Sequence, residues 1–176
     1  GLVLSEVAVS WVGARDALVS VEAAALNFSD LLMIDDRYQI RPDRPFIPGQ
    51  EIAGIVIDAG PQSGLVPGER IASKVLWGGF AQKTLVRGDM AIRIPEQMSS
   101  AQASALPVVY TTAMVALTES ATIRSGETVL VLAAAGGVGL AAVEIARHLG
   151  AHVIAAAGGD EKCELARKHG AQQTID

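Results

Sequence analysis

A single cysteine, Cys163, is all the thiol chemistry that the 176 residues carry. One thiol makes neither an internal disulfide framework nor a cysteine-rich zinc knot. It reads as a free thiol in a reducing compartment, so a cytoplasmic location is expected. Charge is sparse as well: 19% of residues are charged against 50% hydrophobic, which excludes a disordered chain. Positive charge is not in excess, because the formal net charge is −5. Arg37, Arg41 and Arg44 lie scattered in what reads as a solvated loop. Neither nucleic acid nor an anionic membrane surface is therefore expected as a partner. The N-terminus lacks the basic stretch and apolar run of a signal peptide. The most apolar stretch, residues 129–143, falls short of the ~20 residues a spanning helix needs. It is interrupted by Gly136, Gly137 and Gly139 and followed by Glu144 and Arg147.

Short alternating runs between glycine and proline fill the first hundred or so residues and predict a mainly β region. Strands are expected over 17–25, 51–59, 71–75, 80–86 and 91–94, with Gly54 a bulge or a close backbone approach. Residues 67–70 (PGER) mark a turn before the third of these. Beyond Pro95 the pattern changes. A short helix over 99–105 is capped by Ser99 or Ser100, and a second is expected over 110–118. A continuous apolar run at 129–134 predicts a strand buried on both faces. A glycine turn and a helix over 138–149 follow, with Gly150 at its C′ position. A second buried strand at 153–157 and a helix over 160–169, ended by Gly170, complete the pattern. Strand, helix, strand, helix is the order of a parallel doubly wound sheet. The two regions are divided here as residues 1–100 and 101–176.

The turn Ala133-Ala134-Ala135-Gly136-Gly137-Val138-Gly139 carries the chemistry. Gly136 and Gly137 are expected to let the backbone turn tightly and to admit a pyrophosphate where a Cβ would block it. Gly139 lets the helix pack closely on the strand. The helix dipole and first-turn N–H groups then face the phosphates. A lone glycine turn is weak evidence, but here it sits between a buried strand and a helix, with a second strand about twenty residues on. Packing alone is the other reading of the same glycines. At the end of the second strand an NAD enzyme usually carries an acid for the ribose hydroxyls. This sequence has Ala155-Ala156-Ala157-Gly158-Gly159 there, with no acid until Asp160 and with Lys162 just beyond. NADPH is the cofactor expected, although Lys162 by itself reads equally well as a solvated helix lysine.

The segments at 26–30 (LNFSD), 47–54 (IPGQEIAG), 66–70 (VPGER), 135–142 (AGGVGLAA), 158–162 (GGDEK) and 165–171 (LARKHGA) together resemble the medium-chain dehydrogenase/reductase superfamily, in its quinone oxidoreductase branch, which includes zeta-crystallin. The resemblance runs over essentially the whole chain. It implies an α/β protein: a GroES-like, mainly β catalytic domain followed by a Rossmann domain, here truncated. Zinc-dependent relatives carry Cys where this chain has Asn27 and His where it has Gln50, and their third ligand would fall near the apolar Pro107-Val108. Amides are poor zinc ligands, so no metal is expected. The resemblance further implies that Asn27 and Tyr38 line the acceptor pocket and that Thr112 contacts the nicotinamide. With Ala135, Gly136, Gly137, Val138, Gly139, Gly158 and Lys162 these complete the expected site. Leu32 stands where some quinone reductases have Tyr, and Gly159 where many relatives have a Ser that binds the 2′-phosphate.

The chemistry so implied is hydride transfer from NADPH to a quinone or an α,β-unsaturated carbonyl, with Tyr38 and Asn27 stabilising the developing oxygen charge. An enoyl-thioester reductase of the same superfamily and a non-catalytic NADPH-binding protein are the alternatives. Relatives of this kind form homodimers, which is the expectation for a full-length protein. Because a dinucleotide fold has about six strands and two are evident after residue 125, the chain reads as a fragment that is inactive by itself.

Overall fold

The architecture was obtained as a computed structural model that describes residues 1–9 and 11–176. Two compact units make up the chain, Gly1–Pro107 and Val108–Asp176. In the first, five strands form one antiparallel sheet: β1 (Asp16–Ala24), β2 (Glu51–Ala59), β3 (Arg70–Lys74), β4 (Lys83–Arg87) and β5 (Ala91–Arg93), in the order β4-β1-β2-β3-β5. Alternation sets the faces. Ala17 and Val19 of β1 point inward with Val56, Ile71 and Val86, each valine or isoleucine stabilising the fold by roughly 1.5–3 kcal/mol relative to exposure. Gly54 is a close approach as expected: a Cβ there would lie 2.0 Å from the Ser20 carbonyl oxygen. Register breaks on β1 between Leu18 and Val19 and between Val21 and Ala23 bend the strand beside it.

Strand β4 starts later than the alternation from Phe80 implies. The N–H groups of Gly79 and Phe80 donate to the carbonyls of Gly49 and Pro48. These bonds tie the 78–80 loop to the segment leading into β2 and keep it out of the ladder. Helix α1 (Phe28–Ile34) is an element that the strand-and-turn pattern does not reveal. Helix α2 (Ser100–Ser104) begins at Ser99, whose hydroxyl accepts from the Gln102 N–H. It packs on β1, β2 and β3, and Ala103 lies against Ala53 and Ala72. For that reason α2 belongs with the first unit, and the division falls after Pro107 instead of after residue 100.

The second unit opens with α3 (Pro107–Val115), whose last turn widens into a π-helix over Ala116–Ser120, closed by the Ala121 N–H on the Ala116 carbonyl. A parallel three-stranded sheet follows, β6 (Thr128–Leu132), β7 (His152–Ala156) and β8 (Gln173–Ile175), with α4 (Gly137–His148) and α5 (Asp160–Lys168) as the crossovers. Both helices end in the same way. Gly150 and Gly170 take positive φ, and the N–H groups of Ala151 and Ala171 reach back to Ala146 and Ala166, the pattern of a Schellman cap. The core is small-residue rich: Ala134, Ala141, Val143, Ala146, Val153, Ala155 and Ala166 are all completely covered.

One strand departs from expectation. Residues 129–134 are not buried on both faces, since Leu130 and Leu132 are 54% and 70% exposed. In this sheet β6 is an edge strand paired only with β7. Its Val131 faces the helices, and the alternate residues face outward. Among the described residues no helix is long and apolar enough to cross a membrane.

Candidate functional site

Residues proposed for chemistry lie in both units. In the first unit, α1 has Asn27 at its N-cap, in extended backbone. The Asn27 side-chain amide donates to Glu51 Oε1 at 2.7 Å, and its backbone N–H donates to Asp30 Oδ2 at 2.8 Å. The Ser29 hydroxyl donates to the Gln50 side-chain carbonyl. The start of α1 is thus sewn to the start of β2 through side chains. Both amides that stand where zinc-dependent relatives would have thiolate and imidazole are engaged in these bonds. Asp30 is fully buried. Burial pushes its carboxyl above the usual range, partly offset by backbone donors from Asn27 and Gly49. Among the described residues its Oδ1 has no hydrogen-bond partner.

Tyr38 lies beyond the other end of α1, half-buried in the loop that follows. Its carbonyl accepts from Arg41 Nε at 3.3 Å. The helix therefore separates Asn27 from Tyr38 along the chain. Asn27 is instead joined to Glu51, Asp30 and, through the same elements, Ser29 and Gln50. Sequence reasoning assigned no role to these acids. The available signal was the N-cap spacing, since Asp30 stands three residues after Asn27, where a carboxyl reaches back to the cap N–H.

In the second unit the glycine turn joins β6 to α4. Its tight point is not a glycine: Ala133 takes φ 50°, whereas Gly136 is extended at φ −81°, ψ 168°. The turn closes through the Gly136 N–H on the Ala133 carbonyl at 2.9 Å. What the glycines contribute is the missing Cβ. At Gly139 a Cβ would lie 2.4 Å from the Ala133 carbonyl oxygen, so the helix rests directly on the turn. At Gly137 it would press on Val109 at 3.1 Å, and at Gly136 it would meet only the Ala133 oxygen, at 3.3 Å. Gly136 is the N-cap and supplies no side-chain acceptor. The first intrahelical bond is made by the Leu140 N–H. The N–H groups of Gly137, Val138 and Gly139 precede it, and Ala135 leads into them. No acid stands in the first turn of α4. An uncapped helix start of this composition suits an anion.

The end of β7 is bare in a different way. A Cβ at Gly158 or Gly159 would meet nothing within 4 Å. Lys162 is exposed one turn into α5, but Asp160 and Glu161 occupy that first turn too. Asp176, immediately after β8, puts its Oδ1 2.7 Å from the Gly159 N. Neither strand β8 nor this carboxylate is among the sequence expectations. Thr112 is exposed on α3, and its hydroxyl donates to the Val108 carbonyl at 2.6 Å. Behind these residues Glu144 of α4 accepts from the Tyr110 hydroxyl on α3 and lies 2.5 Å from His169 Nδ1 at the end of α5. Burial and the neighbouring carboxylate push the Tyr110 hydroxyl up to about 12. Burial alone would raise Glu144, but the bonds from Tyr110 and His169 outweigh it and hold its carboxyl below the usual range.

A nicotinamide dinucleotide fits these residues: bare backbone at 136 and 158–159, and an uncapped helix start between them in sequence. The chain is similar to several known proteins. Residues 13–96 match the alcohol dehydrogenase GroES-like domain and residues 137–176 the zinc-binding dehydrogenase family. Quinone oxidoreductase-like protein 2 of Rattus norvegicus is 41% identical over 177 aligned residues, 99% of this chain and 51% of that protein. The quinone oxidoreductase of Thermus thermophilus, solved also in complex with NADPH, superposes with a TM-score of 0.88 at 38% identity, over 99% of this chain and 55% of that one. The CurK enoyl reductase gives a TM-score of 0.87 at 30% identity, over 98% of this chain and 54% of that one. This chain thus spans about half the length of the curated relatives it matches.

Proposed function

This chain belongs to the medium-chain dehydrogenase/reductase superfamily, in its quinone oxidoreductase branch, and on that premise we propose that it is part of an NADPH-dependent, zinc-independent reductase of quinones or α,β-unsaturated carbonyls. The observation that carries the proposal is the start of α4. Three N–H groups, those of Gly137, Val138 and Gly139, precede the first intrahelical bond, with no capping side chain and no first-turn acid. They hold the pyrophosphate. Thr112 and Ala135 flank the nicotinamide half, and Gly158 and Lys162 lie on the adenosine side. The end of β7, Ala155-Ala156-Ala157, has no acid of its own, which favours a 2′-phosphate.

When bound, NADPH supplies a hydride. The chain's own work is to fix the cofactor and to receive the charge that develops on the acceptor oxygen. Asn27 donates one amide N–H to Glu51 and keeps the second for that oxygen. The Tyr38 hydroxyl is the other donor. Asn27 and Gln50, bonded to Glu51 and Ser29, leave the acceptor pocket without thiolate or imidazole, the ligands zinc selects. The likeness to an enoyl reductase keeps enoyl thioesters as the second substrate class. Among the described residues no helix is long and apolar enough to cross a membrane, and the net charge of −5 gives no reason for a nucleic-acid partner. A homodimer is the proposed assembly of the complete enzyme.

The test is a thermal shift of a protein carrying this chain with NADPH and with NADH, alongside its Gly136→Ala variant. A ligand that binds only the native state raises stability by about 2.7 kcal/mol at a hundredfold excess over Kd. An upward shift for the parent, reduced in Gly136→Ala, supports the reading. The absence of a shift with either cofactor reduces the turn to a packing device and removes the basis for an oxidoreductase.

A further inference from the structure

The strand that carries no acid acquires one from its neighbour. Strands β7 and β8 run parallel, with Ala156 beside Ile175, so the residues just past each strand emerge together at the carboxyl edge of the sheet. In open α/β sheets this edge is where ligands lie. There the Asp176 carboxylate accepts the Gly159 N–H at 2.7 Å. Gly159 is the N-cap of α5, has a φ of 86°, and carries no side chain that could accept or donate in its place.

Asp160 and Glu161 stand in the first turn of α5 and Asp176 bonds its N-cap, with the Lys162 ammonium in the same turn and the Arg167 guanidinium farther along the helix on Thr174. The contrast with α4 is direct, since its first turn has no acid. One helix start is open to an anion, and the other is already supplied with negative charge.

We infer that Asp176 is the residue that limits this site's preference for NADPH over NADH. One oxygen holds the Gly159 N–H, and the other would accept from a ribose 2′-hydroxyl, the role an acid at the end of the second strand plays in NAD enzymes. The same charge repels a 2′-phosphate, which carries up to two negative charges. Lys162 attracts the phosphate and Asp176 opposes it, so the two cofactors bind with more similar affinity than the bare end of β7 implies. The inference rests on the cofactor reading above and sharpens it.

The experiment measures dissociation constants for NADPH and NADH by fluorescence titration of a protein carrying this chain, for the parent and for Asp176→Asn and Asp160→Asn. Asparagine keeps a carbonyl acceptor for Gly159 and removes only the charge. The expected result is that Asp176→Asn raises the ratio of NADPH to NADH affinity about tenfold, the order of one partly screened charge pair, while Asp160→Asn moves it less. Asp176→Ser repeats the measurement should the asparagine variant not fold. A ratio unchanged in Asp176→Asn, or moved as far by Asp160→Asn, overturns the assignment and leaves Asp176 a cap of the α5 turn. Failure of the parent to bind either cofactor is a different result, and it refutes the cofactor reading itself.

Discussion

Glycines that look alike in the sequence differ in what a methyl group would meet. At Gly139 the added Cβ falls 2.4 Å from one backbone atom and 2.7 Å from another, neither able to swing aside. At Gly158 it falls in open space. Gly139→Ala is expected to destabilise the second unit by about 1–3 kcal/mol, the usual cost of overpacking. Gly158→Ala should unfold at an unchanged denaturant midpoint, and chemical denaturation of the two variants measures the difference. The spacing of glycines was legible from sequence because the strand–turn–helix context is local. Which residue takes the left-handed conformation was not. Ala133 does so at φ 50°, a conformation for which glycine would have been the natural choice. At Asn27 the family resemblance implies a pocket position, and the sequence does not show its hydrogen-bond partners. Glu51 is 24 residues away and Asp30, although near, bears a role that appears only when α1 is seen to start between them.

At the scale of elements, Glu144 joins the three helices of the second unit, through Tyr110 on α3 and His169 at the end of α5. Its titration has a definite sign. The Tyr110 hydroxyl is raised from 10.0 to about 12 in the fold. The unfolded chain therefore loses this proton first as pH rises. The stability contributed by the bond is fully present below about 10 and is lost through about 12. The chain has two tyrosines, so ultraviolet difference spectra recorded while raising pH should show one phenolate delayed, and Tyr110→Phe should abolish the delayed step. That variant should also lose roughly 1 kcal/mol at neutral pH, the net worth of a typical hydrogen bond. Helices α4 and α5 were readable to within a residue or two because periodicity, first-turn composition and a following glycine all coincide. Helix α1 and strand β8 are not legible in the same way, whereas the equally short α2 is marked by its capping serine and β5 by the alternating strands before it. The apolar run at 129–134 has its Val131 face covered by the helices and its other face open in this chain, which spans about half the length of its relatives.

The whole molecule holds an antiparallel sheet unit and a parallel sheet unit, each with its own core. The lone thiol belongs to the second. Cys163 is buried on α5 and donates from Sγ to the Ala157 carbonyl at 3.1 Å, with the Ile175 carbonyl 3.7 Å away. It therefore sits beneath the paired ends of β7 and β8, under the turn that Gly159 and Asp176 close. A labelling reagent reaches this sulfur only when those strand ends part. Its rate of modification then becomes a clock for local opening. Cys163 is the one cysteine of these 176 residues, so its labelling, followed at that residue by peptide mass, needs no engineered probe. A cofactor that spans the turn should slow it in proportion to site occupancy, and an unchanged rate at saturating NADPH would mean that the strand ends open independently of the ligand.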